Sequence, residues 1–210
     1  MPKYDLHVHT THSGDCDCPI DDIIAVAKSK GLRGIAITDH NTTVGIKEAE
    51  KKAGKNLLII PGVEVSSKDG HILGLGIRKA PPQGKPAAET VAAIRKLGGT
   101  AIVAHPFGLC KKPFAILKSD YDAVEVFNPR RYLANRFAKK YVEDHKLAKA
   151  AGSDAHHPNH VGLAGVEITG KPTVTNILKQ IKTGKAKPYG ETLPASEYFK
   201  RIIYKAKNLR

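Results

Sequence analysis

Short apolar runs alternate with amphipathic stretches along most of the chain, and the alternation predicts the elements. Residues 3–9 read as a strand. Residues 19–30 read as a helix, with Pro19 in its first turn, Asp21 and Asp22 near the positive end, and Gly31 as the stop. A strand at 33–38 and a helix at 43–55 follow. Residues 56–67 predict one or two strands, broken at Pro61-Gly62, and 71–77 another. The loop 80–86 leads into a helix that stops at Gly98-Gly99. Beyond it come a strand (100–105), a short helix (113–118), a strand (122–128) and a helix (130–145). Strands at 147–154 and 164–169 and a helix at 173–183 complete the run. Phe199, Ile202, Ile203, Ala206 and Leu209 recur at helical spacing, so a basic amphipathic helix over about 194–209 is expected to pack on the rest.

Strands that alternate with helices predict parallel βαβ units. The chain shows no fixed-period repeat and no convincing linker. The expectation is one α/β domain over residues 1–210, built as a barrel. Its 210 residues, 41% hydrophobic, suit a single core. No run reaches the roughly 18 apolar residues that a membrane-spanning helix needs. The opening "MPKYDLHVH" has no apolar h-region, which predicts a cytoplasmic protein. Three cysteines (Cys16, Cys18 and Cys110) exclude a disulfide framework and agree with a reducing compartment. The net charge of +14 admits two readings. It is either a footprint for anionic partners or a lysine-rich solvated surface of the thermophile type.

Charge alone does not select a chemistry; the stretch "DLHVHTTHSGD" (5–15) does. Residues two apart on a strand point the same way. His7 and His9 therefore share a face near the end of the first strand, and Asp15 follows in a turn. Where later segments start or stop, the same residue types return. These are His40 in "ITDHNT", Glu64 in "IPGVEVSS", His71 in "HILGLG", His105 in "AIVAHP", and Asp154 with His156 in "GSDAHH". A closed barrel of parallel strands presents all its strand ends on one rim. Six imidazoles and three carboxylates meeting there exceed the needs of one ion and suit two or three. Imidazole with carboxylate accommodates Mn, Zn and Fe, and the lack of thiolate argues against a structural cysteine site.

These motifs, "DLHVHT", "ITDHN", "PGVEVS", "HILGLG", "AHP" and "GSDAH", resemble the polymerase and histidinol phosphatase (PHP) superfamily of metal-dependent phosphoesterases over nearly the whole chain. The resemblance implies a distorted (β/α)7 TIM-like barrel. It implies a di- or trinuclear site of Mn, Zn or Fe held by His7, His9, Asp15, His40, Glu64, His71, His105, Asp154 and His156. All nine match the family order. Gly14 separates Ser13 from Asp15, whereas the family acid often follows serine directly, so Asp17 is the alternative at that position. The implied activity is hydrolysis of phosphate esters, of nucleotides or other small phosphorylated molecules. Metal-activated hydroxide would be the nucleophile, and no side chain would attack.

Glu64, the solitary glutamate among many histidines, is expected to bridge ions. Asp5, Asp39 and Glu125 are candidates to orient the metal-bound imidazoles, and Asp5 is expected to share the face of His7 and His9. Arg130 and Arg131 in "FNPRR", with His160, are candidates to grip phosphate. Two other readings stay open. One is a PHP-type exonuclease on DNA or RNA, for which nucleic acid is a partner. The other is a non-catalytic subunit of the ribonuclease P type, whose relatives lack most of the ligands present here.

Overall fold

The computed structural model describes residues 1–108 and 113–193. Cys110 and the helix expected over about 194–209 lie outside the described residues. In chain order the elements are β1 (Lys3–Val8), α1 (Ile20–Ser29), β2 (Gly34–Ile37), α2 (Gly45–Ala53), β3 (Leu58–Ser66) and β4 (His71–Leu75). Next come α3 (Ala87–Lys96), β5 (Thr100–Val103), α4 (Pro113–Ile116), β6 (Ala123–Phe127), α5 (Tyr132–Asp144) and β7 (Lys149–Ala151). A 3-10 turn (Pro158–His160), β8 (Ala164–Glu167), α6 (Val174–Lys182) and β9 (Lys187–Gly190) follow.

One sheet runs in the order β7-β6-β5-β4-β3-β2-β1-β8-β9. It curls until its ends nearly meet. Ala155, just past β7, bridges Val8 of β1 in parallel, with the His9 amide donating to the Ala155 carbonyl at 3.1 Å. The mixed α/β fold is thus a nearly closed barrel, as the sequence predicts. β8 covers the other half of β1, pairing antiparallel at Lys3 and Tyr4, and β9, which returns after α6, pairs antiparallel on its far side. The last strand, β9, carries "KPYG" and has no apolar alternation to announce it.

Two expectations need correction. Residues 58–66 form one strand straight through Pro61-Gly62, not two. Pro61 stays in register with Ile37 of β2 and its carbonyl accepts from the Gly76 amide at 2.7 Å, so the strand continues through it without an N–H from the proline. The strands are also not all parallel. β3–β4 and β4–β5 pair antiparallel, and Ser66 lies opposite His71 in register. His71 therefore reaches the rim as the first residue of a reversed strand.

Burial divides into an interior and an outer layer. Tyr4, Leu6, Ala36, Ile60, Leu73, Ile102 and Ala123 pack inside, capped by Ile177 and Ile181 of α6. Ile35, Ile37 and Val8 face outward against Ile23, Ile24 and Ala27 of α1 and Ile46 and Ala49 of α2. Val63, Val65, Val103, Val124 and Val126 face outward against α3 and α5 through Val91, Ile94 and Val142. β2 to β6 therefore alternate between the two layers. That alternation leaves the interior-facing positions near one end for polar residues.

Candidate metal centre

Glu64 sits between outward-facing Val63 and Val65, so its carboxylate points into the barrel, where it is 1% exposed. One oxygen, Oε1, lies 2.9 Å from His71 Nδ1 and 3.1 Å from His105 Nε2. The other, Oε2, lies 3.1 Å from both His7 Nε2 and His9 Nε2, and 3.3 Å from His40 Nδ1. Five imidazoles from four segments thus surround one carboxylate. Burial alone would raise the Glu64 pKa, but His7, His105 and His71 outweigh it and hold the group well below the usual range.

Simple alternation does not aim all of these side chains. β1 is irregular between Asp5 and Val8, where four of its residues span three of β2. That extra residue lets His7 face the interior although Asp5, in register with outward Ile35, does not. Asp5 therefore does not share the face of His7. Its carboxylate accepts the Ser153 amide at 2.9 Å, the Gly162 amide at 2.8 Å and the His7 amide at 3.2 Å. It pins β1 to the segment after β7 and orients no ring.

After β5, Ala104 already faces inward, and His105 is brought in beside it by a left-handed backbone, φ 30°. Asp154 (φ 51°) and Asn41 (φ 57°), next to His40, share that conformation. Such backbones cost on the order of 1–3 kcal/mol each for a side-chain-bearing residue. They cluster where polar side chains must be re-aimed.

Asp15 and His156 form the outer edge. Asp15 Oδ2 lies 2.9 Å from His156 Nε2 and 3.4 Å from His40 Nε2. Asp15, not Asp17, is thus the acid of the cluster. Burial opposes ionisation of Asp15, but His156 and His40 outweigh it and hold its pKa far below the ordinary range. Asp154 Oδ1 lies 3.6 Å from His9 Nε2 and 3.9 Å from His7 Nε2. The nine residues named from the sequence therefore converge. Three overlapping groups within them each bring their ligand atoms within 4.8 Å of one another: His9–Asp15–His40–His156, His7–His9–Glu64 and His40–Glu64–His71.

The donor set fits divalent ions. Two ligands about 2.1 Å from one ion sit a little over 3 Å apart at ordinary coordination angles, and His7 Nε2, His9 Nε2 and Glu64 Oε2 stand mutually 3.1 Å apart. His40 Nδ1 is buried and makes no hydrogen bond, although it lies 3.3 Å from Glu64. His9 is pushed down to about 4, burial outweighing Glu64, so its ring is neutral at pH 7 as ligation requires.

The ring-orienting roles divide unevenly. Glu125 Oε1 lies 2.9 Å from His7 Nδ1, while Oε2 accepts the His105 amide at 2.9 Å. Asp39 instead accepts the Thr10 amide at 2.6 Å and the Thr10 hydroxyl at 2.9 Å, tying down the loop after His9. Sequence reasoning missed Ser13 and Asn128. Ser13 Oγ lies 3.2 Å from His9 Nδ1, donates to Asp15 at 3.0 Å and accepts the His40 amide at 3.2 Å. Asn128 Nδ2 donates to Glu125 at 3.1 Å and to Asp154 at 3.3 Å. Both lie inside the stretches already quoted, but neither is of a ligand type that draws attention.

Of the cationic candidates, Arg130 stands at the centre's edge. Its Nη1 donates to Asp154 Oδ1 at 2.9 Å and approaches His156 Nδ1. Arg131 is half-buried, its Nε lacks a hydrogen-bond partner, and burial lowers its pKa. His160 ends the 3-10 turn, its ring 5.5 Å from that of His157.

Comparison with known proteins agrees with this arrangement. The family model described as "PHP domain" matches residues 5–183. An uncharacterized protein of Methanocaldococcus jannaschii is 39% identical over 141 residues, covering 60% of this chain and 81% of the relative. A 5'-3' exoribonuclease of Haemophilus influenzae is 35% identical over 99 residues, 45% of this chain, which spans only 36% of that relative. Among solved structures, a two-domain protein of Bacteroides vulgatus containing a predicted PHP-like metal-dependent phosphoesterase superposes with a TM-score of 0.73 at 17% identity. That match covers 90% of this chain and 65% of the other, and speaks for the fold.

Proposed function

The chain belongs to the PHP domain family, and from that premise we propose that it hydrolyses phosphate esters with two or three divalent ions held by the nine converging residues. The observation that carries this reading is Glu64, whose two oxygens face different sets of imidazoles, the arrangement of a carboxylate shared between ions. Divalent ions bound there would supply Lewis-acid polarisation of a phosphoryl oxygen and would lower the pKa of water toward about 7. The chain's own residues do the rest. Glu125 and Ser13 fix the rings of His7 and His9, which keeps the ligand atoms in place without substrate. Arg130, anchored on Asp154, presents a guanidinium at the edge where an ester's remaining phosphoryl oxygens would lie. No serine or cysteine is assigned as nucleophile.

The substrate class is nucleotides or other small phosphorylated molecules. A second reading, a nuclease acting on DNA or RNA, draws support from the exoribonuclease relative and the net charge of +14. The experiment is a screen of phosphate mono- and diesters and short oligonucleotides with Mn, Zn and Fe. Turnover of small esters with weak salt dependence supports the first reading. Turnover of oligonucleotides alone, falling steeply with salt, supports the second. Inertness toward every ester in all three metals contradicts both.

A further inference from the structure

Asn128 follows β6 and is buried beside two buried carboxylates, Glu125 and Asp154. Its side-chain amide has no freedom left. Nδ2 donates to Glu125 Oε2 at 3.1 Å and to Asp154 Oδ2 at 3.3 Å, and Oδ1 accepts the Arg130 amide at 3.0 Å. The partners fix which end of the amide points where, since carboxylates only accept and a backbone N–H only donates. The backbone of Asn128 is clasped as well. Asn135, buried on α5, accepts the Asn128 amide through Oδ1 and donates through Nδ2 to the Asn128 carbonyl, both at 3.0 Å.

The consequence falls on Asp154, whose two oxygens face different ways. Oδ1 lies 3.6 Å from His9 Nε2 and 3.9 Å from His7 Nε2, and accepts Arg130 Nη1 at 2.9 Å. Oδ2 is turned to Asn128. A carboxylate with both oxygens free can ligate one ion with one or with both. Here the amide already holds one of them. An apolar side chain at 128 would leave that oxygen loose, and an acid would set a third negative charge against two.

We propose that Asn128 is a positioning residue that restricts Asp154 to ligation through Oδ1 alone, so that an ion held with His7 and His9 keeps a ligand position for a phosphoryl oxygen of the substrate. The inference rests on the metal-dependent phosphoester reading above. It names what keeps the centre open, since a catalytic site differs from a structural one by a position that the protein does not fill. Asn135 acts one step further out, by holding Asn128 against the two carboxylates.

The test reconstitutes the full chain with cobalt(II) and reads its visible absorption, which weakens as the number of ligands rises. Asn128→Ala releases Asp154 Oδ2, so the absorption per bound cobalt is expected to fall while the cobalt content stays that of the parent. Asn135→Ala is expected to give a smaller fall, and it decides the matter if Asn128→Ala does not fold. In an Asp154→Asn background, Asn128→Ala is expected to add no further spectral change. These readouts use the metal alone, so they stand if the hydrolytic reading fails. On a phosphate ester that the parent hydrolyses, Asn128→Ala is expected to lower kcat/KM about 10- to 100-fold. An unchanged spectrum in the folded variants overturns the proposal. Loss of cobalt with the spectrum of each remaining ion unchanged, or an equal spectral shift with Asp154 and without it, overturns it too.

Discussion

His7 and Glu125 lie 118 residues apart in sequence and meet across the barrel, Nδ1 to Oε1 at 2.9 Å, both side chains nearly inaccessible to solvent. The contact fixes which ring nitrogen of His7 is left to face Glu64. Glu125 also accepts the His105 amide, so one carboxylate sets two of the imidazoles. Glu125→Gln keeps the shape but removes the charge and puts a donor amide where one of these acceptors stood. It is expected to weaken metal binding by about 10- to 100-fold with the fold retained. Metal titration with circular dichroism as the control checks this.

Gly152 approaches the same histidine from behind. A Cβ there would stand 2.3 Å from His7 Cβ and 2.8 Å from its backbone nitrogen, so β1 and the segment after β7 close only over a glycine. Gly152→Ala is expected to force the two apart, destabilising the protein by about 1–3 kcal/mol and lowering metal affinity as well. Denaturant unfolding measures the first effect and metal titration the second. A variant as stable as the parent, with unchanged affinity, would contradict the packing described.

Arg130 touches Asp154 and stands at the centre's edge, so its removal should weaken substrate binding more than the chemical step. Arg130→Ala is expected to raise KM for phosphate esters about tenfold or more, with a smaller fall in kcat. Arg130→Lys should restore the charge but not the planar fork, and recover only part of the loss. Steady-state kinetics on one ester checks the split.

The imidazoles start from different protonation states. Burial depresses the His7 pKa, but Glu64, Glu125 and Asp154 outweigh burial and hold it well above its usual 6.5. His40 is raised as well, burial being outweighed by Asp15 and Glu64. Both therefore hold a proton more strongly than a free imidazole does and must give it up to ligate. Metal affinity is therefore expected to rise with pH from about 6 to 8, with net proton release on binding. The same sign holds for folding without metal. A raised histidine pKa contributes stability below 6.5 that is lost as pH rises through the folded value. Calorimetry in buffers of different ionisation enthalpy counts the protons, and uptake instead of release would contradict the assignment.

The nine polar residues were legible in the sequence because most sit at or near a strand end, where parallel strands bring such residues to one rim; Glu64, inside β3, and Asp15, in the turn after β1, stood out by residue type and order. What escaped notice depends on backbone detail that residue types do not carry. The irregularity in β1 separates Asp5 from His7, the reversal of β4 carries His71 to the rim from the other direction, and the left-handed backbones at His105 and Asp154 re-aim their side chains. Pro61-Gly62 reads as a break, yet β3 runs through it because the sheet tolerates a missing donor there. Asn128 and Ser13 went unnoticed because amides and hydroxyls are common in loops, and only their contacts distinguish them. β9 was missed because "KPYG" lacks the alternation by which other strands are recognised.

Central to the proposed function is that one carboxylate, Glu64, gathers imidazoles from four segments so that it can be shared between ions. Metal analysis of the purified chain, reconstituted with Mn or Zn and dialysed, tests it most directly, with Glu64→Gln treated in parallel. At least two ions per chain are expected, falling by one or more in the variant. A parent chain that retains one ion or none, or a variant that retains as many as the parent, would contradict it.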